Sequence, residues 1–137
     1  MNPRRVLLAL AAVVALLGAG ASSAGAFKGF ESPSHNIGCV MFEQGARCDI
    51  RHHSWPLPKP PKSCEFDYGG SVFIGDRGRG EYGCVSDSAM DAGPVLPYGE
   101  KLRKGRFVCT SEEIGVRCVD RRNGHGFLLS RQRVKFF

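Results

Sequence analysis

The chain has 137 residues, 42% hydrophobic and 23% charged, with six cysteines and a formal net charge of +6. That length allows one small domain whose core is modest enough to call for covalent staples. No C-x2-4-C pair occurs, which excludes the usual zinc-site spacing and leaves an even set of cysteines to form disulfides.

The first residues, MNPRRVLLALAAVVALLGAGASSAGA, place a basic start at Arg4 and Arg5 before an apolar run, then small residues ending in Ala24-Gly25-Ala26. This is the plan of a cleavable signal peptide over residues 1–26, with the mature chain beginning at Phe27. The apolar run is shorter than the roughly 20 residues that span a bilayer. The mature protein is therefore expected to carry no transmembrane segment and to sit outside the cell or in its envelope, where disulfides persist. Residues 27–137 then form a single disulfide-rich domain.

Short strands broken by turn signals fill the rest, and no window shows a sustained helical period. The expected class is all-β, an antiparallel barrel- or sandwich-like domain with almost no helix. Strands are predicted near Ile37–Met41, Ala46–Ile50, Val72–Ile74, Tyr82–Val85, Phe107–Ser111, Val116–Arg122, His125–Ser130 and Val134–Phe136. Only Ser86 to Met90 suggests a helical turn. WPLPKPP, from Trp55 to Pro61, reads as an extended connector whose tryptophan plugs the core.

One pattern is written twice. CVMFEQGARC, from Cys39 to Cys48, returns as CTSEEIGVRC, from Cys109 to Cys118. If Gly45 and Gly115 each close a hairpin loop in the left-handed conformation that glycine tolerates, then Cys39 lies opposite Cys48 and Cys109 opposite Cys118. Directly opposed residues of a non-hydrogen-bonded pair are close enough for a bridge. Cys64 and Cys84 are left to pair with each other. Closing such loops stabilises by roughly 3 kcal/mol each on the chain-entropy model.

Asn123-Gly124 is a strong hairpin signal. As a two-residue turn it would set Arg122 opposite His125 and Asp120 opposite Phe127. Phe107, Cys109, Val116, Cys118, Phe127 and Leu129 would then share a core face. Asp120, Arg122 and His125 would emerge together near the tip, where the aspartate could orient the imidazole for general-base chemistry. Every cysteine is committed to a bridge, so no thiol nucleophile stands beside His125. His52 and His53 are adjacent, and neighbours on a strand point apart, so the pair could not chelate a metal from one. No phosphate loop, H-E-x-x-H or G-x-S-x-G occurs, and no cofactor is expected.

Charge is unevenly placed. Residues 27–100 hold seven basic and ten acidic side chains, and residues 101–137 hold ten basic and three acidic. Arg131, Arg133 and Lys135 fall at odd positions along the final strand, where alternation would set them on one side. Such a patch suits anionic envelope polymers or lipid head groups, without specific nucleic-acid recognition.

The succession FESPSHNIGC, ARCDI, a tryptophan with a proline-rich run to Cys64, CVSDSA, LPYG, GVRC and GHGFLLSR resembles a family of small secreted actinobacterial proteins labelled a domain of unknown function. The resemblance covers Phe30 to Phe137. It implies secretion and a disulfide framework, and it carries no catalytic residue or cofactor. The expected function is a non-catalytic binding module of the envelope or exterior. The alternatives are a small secreted hydrolase using His125 and Asp120, or a structural envelope protein.

Overall fold

The cysteines lie opposite one another as their spacing requires. In a computed structural model that describes residues 25–137, Cys39 pairs with Cys48 and Cys109 with Cys118 at α-carbon separations of 4.1 and 4.0 Å, and Cys64 joins Cys84. Residues 1–24, which hold almost all of the expected leader, lie outside the described residues.

The described residues form ten strands and no helix. They are β1 (Lys28–Glu31), β2 (Ile37–Phe42), β3 (Gly45–Ile50), β4 (Asp67–Ile74), β5 (Glu81–Val85), β6 (Lys101–Lys104), β7 (Phe107–Glu112), β8 (Gly115–Asp120), β9 (Gly126–Leu129) and β10 (Val134–Phe136). The segment from Ser86 to Met90 makes bends and a turn in place of the expected helical turn. The strands make two five-stranded antiparallel meanders, β1-β2-β3-β4-β5 and β6-β7-β8-β9-β10, each ordered as in the chain.

The two meanders are the same object built twice. In the first, one row runs Phe30, Cys39, Cys48, Val72, Tyr82 across the strands; in the second, it runs Leu102, Cys109, Cys118, Phe127, Phe136. The ten-residue sequence repeat is thus the visible centre of a repeat five strands wide. The two sheets bury these rows against each other, with Met41, Val72, Phe107, Val116, Phe127 and Leu129 almost wholly inaccessible. Equivalent cysteines meet at the middle, where Cys48 Sγ and Cys118 Sγ are 3.8 Å apart.

Gly115 holds a positive φ of 155°, as expected of a turn glycine, and Gly45 does not; both glycines also meet a second, shared constraint. Phe42 pairs with Gly45 and Glu112 with Gly115, so the turns are the two-residue Glu43-Gln44 and Glu113-Ile114. A Cβ at Gly45 would collide with the carbonyl oxygen of Ile74, and one at Gly115 with that of Leu129. Ile74 and Leu129 end the next strand in the two halves, so each glycine admits a neighbouring backbone.

The third hairpin is also corrected. Cys118 pairs with Phe127 and Val119 with Gly126, a shift of two residues from the register that an Asn123-Gly124 turn would impose. The turn instead spans Arg121 to Gly124. Asp120 N donates to His125 O at 2.8 Å, and Gly124 N donates to Asp120 O at 2.8 Å. The longer loop keeps Asp120 inside, where its carboxylate accepts the Arg122 amide at 2.9 Å. A two-residue shift preserves alternation, so the predicted core face is retained.

Candidate functional site

The outer faces of the two sheets differ. On the first, Arg47 and Asp49 project outward from β3, and the segment 86–94 crosses above them. Ala89 N donates to Asp49 Oδ2 at 2.7 Å, while Arg47 reaches Asp87 Oδ1 at 2.6 Å. Asp49 also takes two hydrogen bonds from the Arg47 guanidinium and one from Ser71 Oγ. Gly29 and Gly38 lie beneath the strap at positions where a Cβ would strike Ala92 or Ala89. This face is roofed.

On the second sheet the outward row runs Lys101, Thr110, Arg117, Leu128, Lys135, and the next contains Arg103 and Val108. Arg117 donates to Glu112 Oε1 at 3.0 Å and lies over the Phe137 ring. Lys101, Arg103 and Lys135 are exposed, and among the described residues none forms an ion pair. Of the predicted basic trio, Lys135 belongs to this face, Arg133 is exposed just before β10, and Arg131 lies in the turn after β9. Arg131 therefore leaves the strand patch, while Lys101 and Arg103 join it. Sequence alternation within a single strand could not reveal that, because the row is assembled across strands.

Asp120, Arg122 and His125 do lie close together, but at a tightly closed end of the molecule. Asp120 is fully buried, and Arg106 Nε donates to its Oδ2 at 2.9 Å. Burial pushes this carboxyl up, but the bonds from the Arg122 amide and Arg106 outweigh it and hold the group below its ordinary value. Arg122 donates to Asp76 O at 3.1 Å, and His125 N to Asn123 Oδ1 at 2.9 Å. No hydrogen bond joins the Asp120 carboxylate to the His125 ring among the described residues. The backbone link from Asp120 N to His125 O is what holds the two residues together.

At the opposite end lies a cleft of about 520 Å³. Its walls are the β1–β2 loop from Ser32 to Asn36, the end of β3 at Arg51 and His52, Tyr98, the β7–β8 tip from Glu112 to Gly115, and Arg131 with Gln132. At one wall His35 Nδ1 lies 2.8 Å from Glu31 Oε2, with Glu31 buried and the imidazole largely exposed. That bond, together with Asp91 N and Arg51, holds the Glu31 carboxyl below its ordinary value despite its burial. Asn36 is committed to structure, since its side chain exchanges two hydrogen bonds with the His52 backbone.

A family model described as a family of unknown function, DUF6636, matches residues 7–137. The chain belongs to that family. No curated protein and no solved structure matches it. Sequence reasoning did not find the cleft. Yet SPSHNIGC, LPYG and GHGFLLSR, the stretches that carried the resemblance, each place residues in its wall: Ser32 to Ile37, Tyr98 and Arg131. They lie far apart along the chain, so only the folded arrangement shows that they share a place.

Proposed function

We propose that this member of a family of unknown function is a non-catalytic binding module of an exported, oxidising compartment. Its ligand is an anionic envelope polymer held on the outer face of the second sheet. The oxidising setting follows from three disulfides that leave no free cysteine. The N-terminal leader pattern supports export.

The observation that carries the reading is the outward row Lys101, Arg117, Lys135 with Arg103 beside it. These three row positions sit on alternate strands, so successive cations are about 10 Å apart across the sheet. Such a line of cations matches a repeating anion. Binding of this kind is driven by counterion release and weakens steeply with salt. The strap removes the equivalent face of the first sheet from contention, because its outward arginine is already saturated by Asp49 and Asp87.

Retention on isolated envelope material, measured at low and high salt, tests the reading. The parent is expected to bind at low salt and elute at high salt. A Lys101→Gln, Arg103→Gln, Lys135→Gln variant is expected to lose most retention, with a salt dependence shallower by up to about three counterions. An Arg121→Gln, Arg122→Gln variant, altered at the closed end, is expected to behave like the parent. If the triple variant is retained as well as the parent, the face has no such role.

A further inference from the structure

The repeat makes one end of the molecule a template for the other. At the closed end, Lys104 Nζ reaches Glu43 Oε1 at 3.1 Å, and the Arg106 guanidinium reaches Asp76 Oδ1 at 2.7 Å. Arg106 also holds the buried Asp120. These pairs tie the β6–β7 turn of the second half to the β2–β3 tip and the β4–β5 loop of the first.

Strand register assigns each of these residues a counterpart at the open end. Lys104, two residues beyond Leu102, corresponds to Ser32, two beyond Phe30. Glu43 corresponds to Glu113, the same position of the two hairpin tips. Arg106, just before β7, corresponds to Asn36, just before β2. Asp76, two residues past β4, corresponds to Arg131, two past β9. Asp120 corresponds to Ile50, the last residue of β3.

Each closed-end ion pair is therefore reduced to one charge at the open end. Glu113 has lost its lysine to Ser32. The place that Arg106 holds opposite Asp76 falls, for Arg131, to Asn36, whose amide is already occupied by the His52 backbone. Both charges line the cleft, and among the described residues neither side chain takes part in an ion pair or hydrogen bond. Arg51, the other arginine of the cleft, is already drawn toward Glu31 and Asp91 at 3.9 and 3.5 Å. A ligand that brought one cation to Glu113 and one anion to Arg131 would restore at this end the pairing seen at the other.

We infer that the cleft is a binding site for a zwitterionic ligand of the short-peptide class, with its ammonium on Glu113 and its carboxylate on Arg131. The cleft's volume is in the range of small-ligand sites. Tyr98 and Ile114, both about half exposed, give its rim apolar surface for side chains between the two ends. A guanidinium suits the carboxylate because it can donate two parallel bonds.

Trialanine, its N-acetyl form and its C-terminal amide are titrated into the oxidised protein, followed by amide shifts of backbone 1H–15N spectra. Trialanine is expected to move resonances of Glu113, Arg131 and the β1–β2 loop. Blocking either end is expected to weaken binding about tenfold, the value of one charge-assisted contact. Arg131→Gln should erase the preference for a free carboxylate and keep the preference for a free amine; Glu113→Gln should do the reverse. The inference is overturned if trialanine moves nothing in the cleft at millimolar concentration, if the three peptides bind alike, or if both preferences persist in the two variants. Both substitutions are at exposed or turn positions, and the unshifted remainder of each spectrum reports that the fold is kept.

Discussion

Arg47 and Arg117 occupy the same position in two copies of the same hairpin, one residue before the second cysteine and pointing out from the core. Arg47 is roofed by the strap and locked between Asp49 and Asp87, with its side chain only 10% exposed. Arg117 is 38% exposed, pairs with Glu112 alone among the carboxylates of the described residues, and lies over the Phe137 ring. The contrast teaches that the scaffold fixes where a side chain points, while the connecting segments decide whether that position becomes structure or surface. In the first half, the β5–β6 connection crosses the sheet and turns the position inward. In the second half no strap crosses the sheet: Leu128 is buried and Arg117 lies over the Phe137 ring, but Lys101, Arg103 and Lys135 stay exposed.

Replacing each arginine with methionine breaks this comparison most sharply. Arg47→Met strands Asp49 under the strap with its main cation gone, and removing one partner of a buried pair costs about 3–5 kcal/mol. Arg117→Met removes a part-exposed pair and is expected to cost no more than about 1 kcal/mol. Urea unfolding of both variants reads the difference directly. Equal costs would show that the strap does not seal the first face.

The staples test the opposite side of the comparison, where the halves should agree. Removing Cys39–Cys48 or Cys109–Cys118 by paired alanine substitution opens loops of the same length, nine residues apart in each case. Each is expected to cost roughly 3 kcal/mol, and the two costs should be close to each other. Thermal unfolding of the two variants checks this. A large inequality would mean that one half folds around its staple and the other does not.

Local pairing was legible in the sequence because cysteine spacing reports it. C-x8-C with a glycine before the arginine gave the register of both stapled hairpins and, by remainder, the third bridge. Two strands escaped, β1 (KGFE) and β6 (KLRK), and they are equivalents in the repeat. Both are short edge strands carrying lysines, the composition that protects an edge and hides its strand signal. The full repeat was hidden for a related reason. Beyond the hairpins, DYGGSVFI and GFLL share a place in the fold and almost no residues. What they conserve is only an apolar side chain on the core face, which many sequences supply.

The Asn123-Gly124 signal misled because it competes with Asp120. A buried carboxylate that captures both Arg106 and the Arg122 amide stabilises a longer loop over the tight turn that the dipeptide favours. The cleft was illegible for a different reason. It depends on comparing two ends that come together only when the sheets pack, and neither Glu113 nor Arg131 stands out from other exposed charges along the chain.

If the two outer faces differ in role, residue-resolved shift mapping during titration with an anionic polyphosphate separates them. Amide shifts are expected to concentrate on β6, β8 and β10 around Lys101, Arg103, Arg117 and Lys135, to be suppressed by high salt, and to leave the strap and the face around Arg47 unmoved. Shifts centred on the strapped face, or spread evenly over both sheets, would contradict it.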